Sequence, residues 1–280
     1  MSETGLEHSQ VDVVQSSGDE AEIRFVTSKR SGYVARAHRN PLAIGGFAVP
    51  LSPKLVTWTG VFPGVASPKV RVVDIGSGYG GLLLYLATRV APDCCVLGLE
   101  IRTAVWQQAH QKLLELRSTC GAYRRVAFLH TNAQRYLWNY IERASLDALI
   151  FAYPDPHFKR KKHRQRIISR TLLPLYAYLL RRGGRIYTST DVEALYEWMH
   201  DRFEESALFV RKCRLIERHG KSRYNPNRVP ESKPIEDSDE ASIQFFKNDP
   251  YAAAVRDWTD EGRRVSRVQG DKFLLVYEKV

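Results

Sequence analysis

Residues 70–81 read Val-Arg-Val-Val-Asp-Ile-Gly-Ser-Gly-Tyr-Gly-Gly. A β-branched run enters a glycine-rich turn, and the apolar stretch Leu82–Val90 continues from it as a helix. A strand that turns straight into a helix opens a βαβ unit, which belongs to a mostly parallel sheet with helices on both faces. Glycines in such a turn allow a tight bend and close approach of the backbone to a ligand. Gly76, Gly78 and Gly81 satisfy G-x-G-x-x-G, so a nicotinamide-dependent dehydrogenase is one reading. Asp74 favours another, because an acid two residues before the first glycine is poorly placed beside a pyrophosphate. It suits a ligand with a cationic amino-acid end, as in S-adenosylmethionine. As a purely structural residue it would cap the turn.

The next apolar run, Cys94–Glu100, ends in an acid 24 residues after Gly76. That is where a ribose-binding carboxylate falls in such units. The plainer role for Glu100 is to serve the dipole of a helix read over Ile101–Arg117. A third strand, Arg125–His130, leads to Asn132, which suits either an adenine edge or a helix cap. A fourth, Leu146–Ala152, places Asp155 just past a strand's carboxyl end, where open α/β sheets bind ligands. Pro154 and Pro156 restrict the backbone of Asp155. Lys159, Arg160, Lys161, Lys162, Arg164 and Arg166 follow, and from Pro156 to Thr190 ten residues are Lys or Arg and none is acidic. Such a strip is an electrostatic footprint for phosphate backbones, although any charge run can also be a solvated face.

Further along, a helix is expected over Arg164–Arg182, ended by Gly183-Gly184. A fifth strand over Arg185–Ser189 follows, then a helix over Val192–Phe203 capped by Thr190 or Asp191. Phe209–Glu217 reads as a strand, residues 219–251 as a long polar loop with four prolines, Val255–Arg267 as a basic helix, and Lys272–Lys279 as a final strand. Residues 1–26 read as a disordered tail, 27–67 as a basic extension carrying Arg36 and Arg39, and 68–280 as the α/β domain.

The 280 residues carry a net charge of +11. Cys94, Cys95, Cys120 and Cys213 show no metal-binding spacing, so reduced core thiols and no metal site are expected. The N-terminus lacks an apolar signal core and no apolar run is long enough for a membrane helix, so a soluble intracellular protein is expected.

Several stretches together resemble the tRNA (guanine-N7-)-methyltransferase family, in particular its eukaryotic catalytic subunits. They are Arg36–Pro41, Asp74–Gly81, Leu97-Gly98-Leu99-Glu100-Ile101-Arg102, Pro154-Asp155-Pro156-His157-Phe158-Lys159-Arg160, Leu173–Met199 and Thr259–Val265. The resemblance spans Tyr33–Val280. It implies a Rossmann-like class I fold, with seven strands of which the last is antiparallel, and methyl transfer from S-adenosylmethionine to N7 of a guanine in the tRNA variable loop. It also implies that Gly76, Gly78, Glu100, Ile101, Arg102, Asn132, Ala133, Ala152, Thr259 and Glu261 surround the cofactor and that Asp155 is the active-site acid. Lys159 to Arg166, with Arg36 and Arg39, would bind RNA. A WD-repeat β-propeller partner and a nuclear location, with the cytoplasm as a second compartment, are implied as well. Two other functions stay open on the residues alone: a dehydrogenase on the same fold, and a catalytically silent RNA-binding subunit.

Overall fold

A computed structural model describes residues 40–42, 46–219 and 238–280. The expectations for residues 1–26, for most of the basic extension, and for Arg36 and Arg39 lie outside the described residues. A short helix, α1 (Trp58–Val61), precedes the sheet. The chain then alternates β1 (Val70–Ile75), α2 (Gly81–Arg89), β2 (Cys95–Glu100), α3 (Thr103–Cys120), β3 (Val126–His130), α4 (Ala133–Tyr140) and β4 (Leu146–Ala152). It continues through α5 (Leu173–Leu179), β5 (Leu180–Thr190), α6 (Glu193–Glu204) and β6 (Phe209–Glu217). Three short helices, α7 (Glu240–Asn248), α8 (Pro250–Asp257) and α9 (Asp260–Arg267), lead to β7 (Lys272–Lys279).

The strands form one sheet in the order β3-β2-β1-β4-β5-β7-β6. β1 to β5 pair in parallel, and β7 runs antiparallel to both β5 and β6. This is the seven-stranded, mostly parallel α/β sheet with one reversed strand that was expected. The strands are apolar on both faces because both faces are covered. Leu149, Phe151, Phe273 and Leu275 pack towards α4, α5 and α6, beside Leu137, Tyr176 and Met199. Ala148, Ile150, Leu274 and Val276 pack on the other side, with Leu83 of α2, Leu113 of α3 and Val255 of α8.

Three expectations are corrected. No helix spans Arg164–Arg182: a 3-10 turn covers Arg160–Gln165, α5 is a helix of seven residues, and β5 begins at Leu180. Leu180 pairs with Leu146 of β4, and the register shifts between Leu146 and Ala148. Gly183, at φ +74°, therefore forms a bulge within the strand rather than a helix end. Second, residues 240–248 and 250–251 of the expected polar loop are helical. Asp239 accepts from Ser242 N at 2.7 Å and Asp249 from Ala252 N at 2.9 Å, with Pro250 at the first helical position. Each such cap contributes about 1 kcal/mol. Third, the helix expected over Val255–Arg267 is two, broken at Trp258, because Thr259 is extended (ψ 155°) and its hydroxyl caps α9 by accepting from Gly262 N at 2.8 Å. Of the cysteines, Cys95 and Cys213 are buried thiols, Cys94 is half-buried, and Cys120 is exposed at the end of α3.

Gly80 starts α2 at φ +80°, and a methyl group there would overlap the Phe128 ring. Gly80→Ala should cost about 2–4 kcal/mol, a left-handed backbone penalty plus overpacking. Urea unfolding measures it, with Gly60→Ala as control, since nothing lies within 4 Å of a Cβ at Gly60. Equal stabilities for the two variants would show that the turn tolerates a side chain.

Candidate active site

The strand order reverses at β1, so the connections leaving β1 and β4 part and open a crevice at their carboxyl ends. A cleft of about 540 Å³ occupies it. Gly76, Gly78, Glu100, Ile101, Arg102, Asn132, Ala133, Ala152, Thr259, Glu261 and Asp155 all line it. The tertiary structure thus brings together residues from β1, β2, α4, β4 and α9 that are up to 190 positions apart (74 to 264).

Two carboxylates lie beneath the glycine turn. Asp74, at the end of β1, is 2 % exposed, and its Oδ1 has no hydrogen-bond partner among the described residues. Burial, and then the neighbouring Glu100 charge, push its pKa up to about 7. Glu100, also 2 % exposed, is fully engaged. Its Oε2 accepts from Gly78 N and from an Arg102 guanidinium nitrogen, both at 3.0 Å. Its Oε1 accepts from Arg102 N at 2.9 Å and Arg102 Nε at 3.0 Å. These four bonds use the capacity of a carboxylate. Arg102 itself is 31 % exposed and faces the cleft.

Across the cleft, Asp155 is held by its own loop. Tyr153 has φ +50° and donates its N–H to Ser189 O at 2.7 Å. Two residues past Asp155, His157 has φ +44°. It donates its N–H to Asp155 Oδ1 at 3.2 Å, and its Nδ1 stands 3.7 Å from Asp155 Oδ2. Asp155 remains 28 % exposed towards the cleft. Backbone strain of this kind concentrates at functional sites.

The remaining walls come from distant segments. Asn132 starts α4 without capping it; its Nδ2 donates to Pro41 O at 2.7 Å, while Gln165 Nε2 donates to Asn40 Oδ1 at 3.1 Å. Thr259 is occupied as the cap of α9, and Glu261 approaches Arg264 at 3.7 Å. Gly262 lets α9 sit close, since a Cβ there would meet Thr259 Oγ1 at 2.7 Å and Tyr153 Oη at 3.3 Å. Lys159, Arg160, Lys161, Lys162 and Arg164 are exposed beside the cleft. Arg166, grouped with them on sequence, differs from them in being only 5 % exposed. His157, Gln165, Asp191 and Pro41 also line the cleft. His157 sits inside the segment singled out around Asp155, whereas nothing in the spacing of Gln165, Asp191 or Pro41 points to the site.

The raised pKa of Asp74 has a consequence for stability. A folded-state pKa near 7, above the usual carboxylate value of 3.8, means that the folded protein holds a proton the unfolded chain has released. Stability should fall as pH rises through that interval. Asp74→Asn should gain stability relative to the parent on going from pH 5 to pH 8. Thermal melts of both proteins without ligand check this, and a pH-independent difference would mean that Asp74 titrates normally.

A family described as "Putative methyltransferase" matches residues 68–233. The tRNA (guanine-N(7)-)-methyltransferase of Anopheles gambiae is 38 % identical over 249 residues, covering 89 % of this chain and 93 % of that protein. The Arabidopsis thaliana protein of the same name is 37 % identical over 256 residues, covering 89 % and 90 %. That of Drosophila simulans is 35 % identical over 276 residues, covering 95 % and 96 %. With 35–38 % identity over most of the length of each protein, the chain belongs to the tRNA (guanine-N(7)-)-methyltransferase family.

Proposed function

We propose that the cleft holds S-adenosylmethionine against the glycine turn and presents a guanine of the tRNA variable loop to it, with Asp155 orienting the base. The observation that carries this reading is the division of one cleft into two acidic halves. Asp74 and Glu100 are buried under the glycine turn, while Asp155 is partly open and borders the exposed cations.

The residues fit the cofactor. Asp74 offers a buried acceptor without a partner among the described residues, suited to an ammonium group. Glu100 is placed for the ribose hydroxyls, which would replace Arg102 side-chain donors, since the carboxylate has no spare capacity. Gly76 and Gly78, at φ +78° and +55°, carry no Cβ and have nothing within 4 Å of that position, so the ligand can lie on the backbone. When bound, S-adenosylmethionine supplies an electrophilic methyl group on a sulfonium.

Guanine N7 carries a free lone pair, so no residue has to remove a proton first. The protein's task is to align N7 with the methyl carbon, and positioning of this kind can supply several kcal/mol. Asp155 accepts hydrogen bonds from the guanine N1–H and amino group and stabilises the positive charge that the ring acquires. It acts as an orienting and electrostatic acid rather than as a general base. The guanine must leave its stack, at a cost of a few kcal/mol. Phosphate contacts from Lys159, Arg160, Lys161, Lys162 and Arg164 offset that cost. The WD-repeat partner and the nuclear location rest on the family resemblance alone; co-purification and imaging of the tagged chain test them.

Asp155→Ala should fold and keep its affinity for S-adenosylmethionine while methyl transfer to tRNA falls about 10²-fold or more. Single-turnover assays at saturating tRNA with nucleoside analysis measure it; near-parent rates would make Asp155 a structural residue. Lys161→Glu with Arg164→Glu should weaken tRNA binding and flatten log affinity against log salt by about 0.7–0.9 per lost phosphate contact. Cofactor affinity should hold. A parent-like slope would move the RNA surface elsewhere on the molecule.

A further inference from the structure

The six cations after Asp155 occupy two different settings. Five are exposed, and the sixth, Arg166, is turned inward. Its Nε donates to the carbonyl of Pro156 at 2.9 Å. Its guanidinium lies 4.8 Å over the ring of Trp198, on α6. Trp198 is held in turn: its Nε1 donates to Ile168 O at 2.8 Å, and the Arg202 guanidinium lies 4.9 Å from the same ring. Burial lowers the pKa of Arg166 from its usual value. A guanidinium still keeps its charge in such a setting, so the bond to Pro156 is charge-assisted.

Pro156 is buried and directly follows Asp155. Its carbonyl leads into His157, the residue at φ +44° whose N–H closes onto Asp155 Oδ1. A non-glycine residue in that region persists only where its surroundings over-determine it. The described contacts supply that determination from two sides. Tyr153 N–H on Ser189 O fixes the loop before Asp155, and Arg166 on Pro156 O fixes it after.

We infer that Arg166 is a positioning residue: braced on Trp198, it holds Pro156 and so aims the Asp155 carboxylate, and it takes no part in binding RNA phosphates. This rests on the reading of Asp155 above. It separates Arg166 from its five neighbours in a way that their uniform charge conceals. Misplacing a reacting group by an ångström costs rate while leaving remote binding contacts intact, so the loss should fall on the methyl-transfer step.

The test is a double-mutant cycle of Arg166→Met and Asp155→Ala on the full chain, with any co-purifying subunit retained. Single-turnover methyl transfer is read at saturating S-adenosylmethionine and total tRNA, beside cofactor affinity, melting, and tRNA affinity across a salt series. Arg166→Met should lower the saturating rate at least tenfold, with tRNA affinity within twofold of the parent and an unchanged salt slope. In the Asp155→Ala background it should add little further loss, as expected of residues that act as a unit. Arg166→Lys should recover part of the rate. A weaker tRNA affinity with a shallower salt slope would make Arg166 a phosphate contact and overturn the proposal; so would losses that multiply independently. A parent-like rate for Asp155→Ala would remove the orienting role of Asp155, whereas a parent-like rate for Arg166→Met beside a slow Asp155→Ala would remove only the positioning role. Should Arg166→Met fail to fold and bind cofactor, Arg166→Lys decides: a folded lysine variant at the parent rate overturns the proposal, and a several-fold slower one supports it.

Discussion

The site depends on one topological constraint: β1 hydrogen-bonds to β2 on one side and to β4 on the other, so the chain must leave the sheet in opposite directions at β1. The connection after β1 turns over one face through Gly76, Gly78 and Gly80, all at positive φ. The connection after β4 runs out through the Pro-Asp-Pro segment. No side chain has to create the crevice between them; the backbone path does so, and side chains then determine its chemistry.

That chemistry is a separation of charge across a short distance. Two carboxylates sit dry on the β1–β2 side, one held by Arg102 and the Gly78 amide, the other without such a partner among the described residues. An uncompensated buried acid is expensive, and its pKa rises in response. On the function proposed above, a ligand that brings a cation would recover the cost. On the β4 side the acid is only partly buried and is followed by exposed lysines and arginines that suit a polyanion. Arg102 is bonded to Glu100 and open to the same cleft that Asp155 lines.

The distal parts of the chain complete the walls. The short helices α7, α8 and α9 each begin at a side-chain cap, and the last of them brings Thr259 and Glu261 back to the cleft. From the other end, Pro41 reaches Asn132. Ser189 Oγ donates to Val255 O at 3.2 Å and Tyr153 Oη to Arg256 O at 3.3 Å, tying the region after β4 and β5 to α8. Hydrogen bonds therefore tie the walls of the site to distant segments of the chain.

What could be read from the residues was whatever is local in its physics. The strands Leu146–Ala152, Phe209–Glu217 and Lys272–Lys279 came out with the bounds expected, because alternation or continuous apolarity over a few residues reports burial directly. The glycine turn, and the acids at the ends of β1, β2 and just past β4, were visible for the same reason: turn chemistry and strand ends are short-range signals. Tertiary structure alone decided the rest. Gly183-Gly184 looks like a helix stop, and only pairing with Leu146 makes it a bulge. The Pro- and charge-rich composition of 219–251 hid the cap signals at Asp239 and Asp249, which act through single hydrogen bonds that composition does not register. Arg166 is chemically the same as the cations around it, and what sets it apart is Trp198, on a helix beyond the next strand. Which cation faces water and which is turned into the core is a property of long-range packing, and no window of sequence around Arg166 contains it.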